Sequence, residues 1–306
     1  MTFWISVLEA SVRLGVPLLL VALGELIAER SGVINIGLEG MMSAGAYIGF
    51  VVMAASGDAQ AAMSAAALAG LTVAGIMAGM AIWGRVNQIL TGFALFVMVP
   101  AATAFLYLQN MSSLVVTPAL PVLAIPGLDQ IPLFGRVLFA QNEFYYIAIA
   151  LCVVVWILFN RTLLGLQITA CGHNPEVATA KGVSVVWVRT GATLTCGALA
   201  GFGGAALTVG ALGQFNPGVT GGLGFIAIAA VILGRWKVQG VLIAAAAIGF
   251  TDAFRLRISS QVDFPVQLLA MLPWIVVLLM LIAGAGFADV PRALGRNFSS
   301  IAASDA

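Results

Sequence analysis

Charged residues are scarce in this chain. Only 8% of its 306 residues are Asp, Glu, Lys or Arg, whereas 61% are hydrophobic. A soluble domain carries about 25% charged residues, so a folded surface of this composition suits lipid rather than water. The net charge of +1 also argues against nucleic acid as a partner, because binding nucleic acid requires a basic surface.

Residues that common catalytic motifs require are also missing. The only lysines are Lys181 and Lys237, and neither belongs to the Gly-Lys-Ser/Thr sequence with which a P-loop holds ATP. The single histidine, His173, excludes HExxH zinc chemistry. The three cysteines are scattered, as is typical of small buried apolar residues. We therefore expect no catalytic site, no metal site and no cofactor in this chain.

Long apolar runs dominate what is present. A helix needs about 20 apolar residues to cross a bilayer, and the runs predict about nine crossings. Because two runs are short or broken by glycine, the range is eight to ten. The predicted crossings lie near 6–28, 33–55, 61–84, 87–110, 143–160, 184–210, 218–234, 238–256 and 264–286. We expect an all-α, polytopic transmembrane bundle that forms a single domain over residues 1–306.

Two connections between the crossings are long, and basic residues predict their sides. The connection 111–142 is proline-rich and 161–183 is polar. If 161–183 is cytoplasmic, most basic residues lie inside, as the positive-inside rule requires. These are Arg30, Arg85, Arg161, Lys181, Arg189, Arg235, Lys237, Arg292 and Arg296. Arg136, Arg255 and Arg257 fall outside, and Arg13 lies within the first crossing. We expect the N-terminus outside and the C-terminus inside.

Two segments echo each other. Residues 32–49, GVINIGLEGMMSAGAYIG, resemble 218–234, GVTGGLGFIAIAAVILG. The predicted topology runs the first outward and the second inward, and two further crossings follow each. This pattern predicts inverted repeats, whose broken helices line transport sites near the midplane.

Polar side chains near these echoes are candidates for a translocation path. An acid inside a crossing is costly and normally faces a partner or a wet cavity. Glu39 lies in a stretch that can unwind, near Asn35, and either braces the broken helix or contacts the solute. Asn87 and Gln88 either face the path or cap their helix. Asn216 precedes the second echo and either faces the path or marks a plain helix entry.

The stretch 172–182 contains start and stop signals for a short helix. Asn174 suits the N-cap, Pro175 the first turn and Gly182 the left-handed C′ position. A two-turn helix is unstable alone, so it either docks on a soluble motor subunit or is a plain connector. The candidate docking residues are Gly172, Asn174, Pro175, Glu176, Ala178, Lys181 and Gly182.

Three motifs together resemble a known family. They are GELIAERSGVINIGLEGMMSAG ending at Gly45, AxGxNPEVAxAxGV at 170–183, and GGLGFIAIAAVILGRW at 221–236. In this order they resemble the nucleoside and simple-sugar branch of ABC importer permeases, and the likeness extends from Leu14 to about Ile282. Within the branch, the chain looks most similar to the shorter permease of nucleoside systems served by basic-membrane-protein-type binding proteins.

The resemblance implies partners that composition does not show. Such permeases pair with a second, homologous permease in the bacterial cytoplasmic membrane and sit on a cytoplasmic ATPase that binds ATP and Mg. A periplasmic or lipid-anchored binding protein delivers the solute, and the loop matching 172–182 is the coupling region. Nucleosides are the expected solutes. Ribose-type and galactose-type systems share much of the pattern, so simple sugars are the alternative.

Other classes of function remain open from the residues alone. A stand-alone secondary transporter could carry a proton on Glu39 or Asp252. A non-catalytic membrane scaffold is a further alternative, and an intramembrane enzyme is disfavoured by the missing motifs.

Overall fold

The computed structural model describes residues 2–110, 116–117, 120–127, 134–259, 266–269, 271–284 and 290–296. Within these ranges the chain is a helical bundle with one short pair of β-strands. The predicted all-α class is therefore confirmed.

The first part of the bundle contains four long helices. They are α1 (Thr2–Arg30), α2 (Leu38–Ser56), α3 (Ala59–Ala78) and α4 (Gln88–Asn110). α3 continues as a π-helical turn, Gly79–Trp83. Asp58 caps α3 because its Oδ1 accepts hydrogen bonds from two amides of the first turn, at 2.8 and 3.3 Å.

The long connection after α4 is partly described. It contains β1 (Leu123–Ala124), α5 (Phe134–Phe139) and β2 (Ala140–Gln141), and the two strands pair antiparallel. Pro118 and Pro132, which belong to the proline-rich pattern, lie outside the described residues.

The second part contains both long and short helices. They are α6 (Glu143–Arg161), α7 (Leu163–His173), α8 (Pro175–Ala180), α9 (Val185–Ala205), α10 (Leu223–Leu233), α11 (Val238–Ser259), α12 (Val266–Leu269) and α13 (Leu272–Gly284). α9 continues as a π-helical stretch, Ala206–Leu212. The polar connection 161–183 is thus largely helical, and α10 begins at Leu223 rather than near residue 218.

Six helices in the described part are long and apolar enough to span a membrane. These spans are Phe3–Arg30, Leu38–Ser56, Ala59–Trp83, Gln88–Asn110, Glu143–Arg161 and Val185–Leu212. Leu223–Leu233 is a shorter apolar helix. The chain is therefore a multi-pass membrane protein by length and composition, while the count of about nine crossings stays a prediction.

α9 lies at the centre of the bundle, packed against α1, α2 and α3. Glycines allow this approach because added Cβ atoms would collide with neighbouring backbone. A Cβ on Gly45 would collide with Gly201, and one on Gly70 with Gly197. These contacts explain the Gly-x-x-x-Gly spacing of Gly197 and Gly201. By contrast, Gly79 has open space beside it.

The connections gather at two ends of the bundle. One end, here called the basic end, holds Arg30, Arg85, Gly172, Arg189, Arg235 and Ala293. The opposite end holds Arg13, Thr117, Asn142, Gly213, Thr220 and Asp252. Arg13, predicted within the first crossing, lies at this opposite end, and which end faces the cytoplasm stays a prediction.

Candidate functional site

α2 and α10 meet at their N-terminal turns, and Glu39 joins them. Its Oε1 accepts a hydrogen bond from the Gly222 amide at 2.9 Å, and its Oε2 accepts one from the Gly224 amide at 2.7 Å. The Glu39 side chain lies in the first turn of α2 and is buried. A carboxylate is stabilised there because the first amides of α10 lack helical acceptors and the helix dipole is positive at that end.

Glycines make this junction possible. Gly218, Gly221 and Gly222 all have positive φ, at 79°, 54° and 86°, in the turns that precede α10. A Cβ on Gly224 would lie 2.6 Å from the backbone nitrogen of Glu39. The glycine-rich start of the second echo therefore lets two helix ends approach within hydrogen-bonding distance.

Glu39 therefore makes the kind of hydrogen bonds that would brace a broken helix, which is one of its two predicted roles. The first echo enters α2 after an irregular segment, residues 31–37, and the second enters α10 after the turns at 217–222. Helix ends that meet in this way agree with inverted repeats, although the repeat stays a prediction. Contact between Glu39 and a solute also stays a prediction.

Buried polar groups hold the irregular segment before α2. Gln88 accepts a hydrogen bond from the Ile34 amide at 3.1 Å. The Asn35 amide donates to Glu25 at 3.4 Å, and Nδ2 of Asn35 contacts Sγ of Cys196 at 3.4 Å. Among the described residues, Oδ1 of Asn35 accepts no hydrogen bond. Asn35 and Gln88 are both fully or nearly fully buried, so each supports the segment that leads to Glu39.

Asn87 and Asn216 lie apart from this cluster. Asn87 is exposed and caps α4, because its Oδ1 accepts from two amides of the first turn at 2.9 and 3.2 Å. Asn216 is exposed in the loop before the turns at 217–222. The plain helix entry with Pro217 at the first helical position is wrong, since glycine-rich turns separate Pro217 from α10.

A second contact joins the same two motifs at the basic end. Nε1 of Trp236 donates to Oε2 of Glu29 at 2.5 Å, and both side chains are buried. Arg235 and Trp236 have positive φ, 54° and 52°, which is unusual for residues with side chains. The motifs 24–45 and 221–236 therefore touch at both of their ends.

Arg189 gathers separate segments at the basic end. The side chain is 2% exposed. Its Nε donates to the Ser31 carbonyl at 3.1 Å and its Nη1 to the Arg296 carbonyl at 2.7 Å, with Nη2 3.5 Å from the Ala293 carbonyl. We call this set of contacts the Arg189 clamp. It satisfies a buried guanidinium with backbone oxygens.

Backbone hydrogen bonds extend the Arg189 clamp to the start of the loop 172–182. The Ala293 amide donates to the Gly172 carbonyl at 2.9 Å, and the Gly295 amide to the Gly32 carbonyl at 3.0 Å. A Cβ on Gly172 would collide with the Arg30 carbonyl. The segment 290–296 thus ties the end of α7 to the turn that follows α1.

The predicted short helix is confirmed as α8. Oδ1 of Asn174 accepts from the Val177 amide at 3.1 Å, Pro175 occupies the first turn, and Gly182 has φ +82°. Outward-facing residues include Glu176 and Lys181. These are the local features that the sequence predicts.

Ala178 faces inward instead of outward. It is 3% exposed and packs in a cluster with Cys171 and Val185. Burial raises the pKa of the Cys171 thiol above its ordinary value, so this residue packs as a neutral group. The expected close approach of Ala178 to a partner groove is therefore corrected: its methyl group anchors α8 to this chain, while Val177, 55% exposed, faces outward.

The fold and the Glu39 junction together define a class of protein. Discontinuous helices whose N-termini meet within a polytopic helical bundle are typical of membrane transport proteins. Within the described residues, no group of three or more His, Cys, Asp or Glu side chains could hold a metal ion.

Comparison with known proteins identifies the family. Residues 7–284 match the family described as branched-chain amino acid transport system / permease component, and the chain belongs to it. The family consists of transport permeases rather than enzymes. Similarity to nucleoside ABC permeases also places the chain in the nucleoside and simple-sugar branch of this family.

Relatives resemble the chain along most of its length. Guanosine ABC transporter permease protein NupQ of Bacillus subtilis is 33% identical, covering 94% of this chain and 95% of its own. Nucleoside ABC transporter permease protein NupC of Lactococcus lactis is 28% identical, covering 92% and 93%. TsgC13 of Haloferax volcanii, provisionally named as a glucose ABC transporter permease, is 35% identical, covering 85% and 80%.

A solved structure shares the fold. It is described as an inward-facing conformation of an ABC transporter provisionally assigned to the metal-chelate type, and the TM-score is 0.52 at 15% identity. The match covers 91% of this chain and 85% of that chain. At this identity the likeness concerns the fold alone.

Sequence reasoning missed the Arg189 clamp and the Glu29–Trp236 contact. From the sequence, Arg189 is recognisable only as a basic residue that sets orientation. A guanidinium within the apolar run of α9 was the available signal, because a buried charge needs acceptors. Nothing local indicated that the tail segment 290–296 would supply them.

Proposed function

We propose that this chain forms half of the translocation path of an ABC importer for nucleosides. The observation that carries the proposal is the Glu39 junction of two broken helices, in a chain similar along more than 90% of its length to guanosine and nucleoside permeases. The junction supplies a point at which α2 can be moved against α10.

Transport in this proposal requires no chemistry in the chain itself. A separate cytoplasmic ATPase binds ATP and Mg, and its docked state shifts the permease between two conformations. A second, homologous permease forms the other half of the path, and a periplasmic or lipid-anchored binding protein delivers the solute. The chain binds no cofactor of its own and acts as one membrane domain over residues 1–306.

The basic end is proposed to face the cytoplasm of a bacterial cell. Its basic residues and the loop 161–183 support this orientation, with the N-terminus outside and the connection 111–142 on the periplasmic side. Single cysteines at Ser6 and Ser300 in a cysteine-free background test it with a membrane-impermeant reagent. We expect labelling of Ser6→Cys in intact cells and of Ser300→Cys only after lysis. Labelling of Ser300→Cys in intact cells would reverse the topology.

α8 is proposed to dock on the ATPase through its outward face. Glu176, Val177 and Lys181 face outward, while Gly172, Asn174, Pro175, Ala178 and Gly182 position the helix. Asn35, Glu39, Asn87, Gln88 and Asn216 remain the candidates for the translocation path. Of these, Asn35 and Gln88 support the segment before Glu39.

Simple sugars are the second candidate solutes, and the similarity to TsgC13 favours them. Uptake of radiolabelled guanosine, ribose, galactose and glucose by a deletion strain, with and without the restored gene, separates the two. We expect restored guanosine uptake only. Unchanged guanosine uptake with lost sugar uptake in the deletion strain would move the assignment to sugars.

A further inference from the structure

Two of the cavities that open on the described part of the bundle have equal volumes, and their linings differ. Each has a volume of about 380 Å³. The first, here called the polar cavity, is lined by Thr220, Gly221, Leu223, Asp252, Arg255 and Trp274 together with aliphatic side chains. The second, here called the apolar groove, is lined by Leu8, Val12, Leu19, Tyr145, Leu242 and Phe250 together with further, mostly apolar residues.

An ion pair lies in the wall of the polar cavity. Oδ1 of Asp252 accepts from Nε of Arg255 at 2.9 Å and lies 2.7 Å from Nη2. The side chains of Arg255 and Asp252 are 24% and 26% exposed, so both can reach an occupant. A carboxylate has about four acceptor positions, and this pairing uses one oxygen. The carboxylate therefore retains capacity for hydroxyl donors.

An aromatic ring forms another wall. Trp274, at the start of α13, is 45% exposed. A flat ring beside a carboxylate and aliphatic side chains can hold a molecule with a planar aromatic part and a hydroxylated part. A nucleoside has this division between base and ribose. A lipid chain needs neither group, and the apolar groove suits it better.

The floor of the polar cavity belongs to the Glu39 junction. Thr220, Gly221 and Leu223 line the cavity, and the amide of Gly222 between them donates to Glu39. The ring of Trp274 lies against the same glycine, since a Cβ on Gly222 would be 3.0 Å from Cζ2 of Trp274. An occupant of the cavity would therefore touch the turn before α10 that is hydrogen-bonded to Glu39 of α2.

We propose that the polar cavity is a vestibule that binds a nucleoside at the end opposite the basic end. The base lies against Trp274, and the ribose hydroxyls donate to Asp252. This inference rests on the proposed function, because it takes nucleosides as the solutes and the opposite end as the outer side.

Photolabelling tests the vestibule directly. The probe is tritiated 8-azidoguanosine, applied to the complex of both permeases and the ATPase in lipid nanodiscs and mapped by mass spectrometry. We expect label on peptides that contain Asp252 or Trp274, and its loss with excess guanosine. Removing an aromatic stacking partner weakens base binding by about 5- to 150-fold, so Trp274→Ala should lower the labelling accordingly.

Matched variants guard against misfolding. Trp274→Phe keeps a ring and should retain most of the label, while Asp252→Asn keeps the shape of the side chain but weakens the acceptor. Phe250→Ala alters the apolar groove, which has the same volume, and should leave the label unchanged. Label unaffected by Trp274→Ala, label confined to the apolar groove, or displacement by glucose as effective as by guanosine would each overturn the inference.

Guanosine uptake by the wild-type importer is measured in parallel. Uptake without label in the polar cavity would reject the vestibule and leave the proposed function intact. Guanosine-protected label in the cavity without uptake would support nucleoside binding in the polar cavity but reject both its role as an importer vestibule and the proposed nucleoside importer.

Discussion

Glu39 and Arg189 are buried side chains of opposite charge that both bind backbone groups. The Glu39 carboxylate receives two amides from a single helix end, at 2.7 and 2.9 Å. The Arg189 guanidinium donates to carbonyls of the turn after α1 and of the tail, over 2.7 to 3.5 Å. The Glu39 junction joins two helices, whereas the Arg189 clamp joins loop segments.

Because of this difference, the two sites should respond differently to substitution. Amides at a helix start point in one direction and cannot find other acceptors without breaking the turn. Carbonyls in loops at a bundle end can turn toward water. We therefore expect the Glu39 junction to be the less replaceable of the two, and the Arg189 clamp to act by keeping the segment 290–296 close to Gly172.

Glu39→Ala should have the largest effect. Each buried amide left without an acceptor costs about 1–3 kcal/mol. Two such amides should therefore lower the population of the intact junction by roughly 30-fold or more. Uptake of labelled guanosine by the reconstituted importer measures the loss. Glu39→Gln can still accept a hydrogen bond from one amide, so its uptake should lie between that of the wild type and that of Glu39→Ala. Glu143→Gln, a half-buried carboxylate in the first turn of α6, is the control. Wild-type uptake by Glu39→Ala would show that the junction is dispensable.

Arg189→Gln should have an intermediate effect. Hydrogen bonds to a charged group contribute about 1.5–3 kcal/mol. Because the freed carbonyls can bind water instead, we expect a cost near the low end of this energy range, which corresponds to about a 10-fold loss of uptake. Hydrogen exchange at the Ala293 and Gly295 amides should become faster. Arg161→Gln, exposed at the same end, is the control.

Amide hydrogen exchange should also show whether the two sites open independently. Arg189→Gln should leave the Gly222 and Gly224 amides protected, and Glu39→Ala should leave the amides of Ala293 and Gly295 protected. Faster exchange at both sites in either variant would mean that junction and clamp form one unit.

Val177→Arg should have the smallest effect of these substitutions. It places a long side chain on the exposed face of α8, and an overpacked interface loses about 1 kcal/mol or more, roughly 5-fold in affinity. We expect weaker co-purification of the ATPase with an intact membrane domain. Ala178→Arg should instead loosen α8 from its own chain. Full ATPase retention and wild-type uptake with Val177→Arg would reduce α8 to a connector.

Local signals predicted α8 well and α10 less well. The cap at Asn174 and the stop at Gly182 act within a few residues, so the helix between them follows from its own sequence. The apolar run at 218–234 predicted a crossing, but its glycines form turns and α10 begins at Leu223. Composition cannot distinguish a glycine that packs a helix from one that interrupts it, because the distinction depends on the neighbour it meets.

The membrane class, the long helices and the capping of α8 follow from local sequence, because hydrophobicity and side-chain caps act over short stretches of chain. The partners of the buried charges come instead from distant parts of the chain. Glu39 binds amides that lie 183 and 185 residues away, and Arg189 binds a carbonyl 158 residues away. A buried charge requires satisfied hydrogen bonds, but which backbone groups supply them depends on how the helices pack.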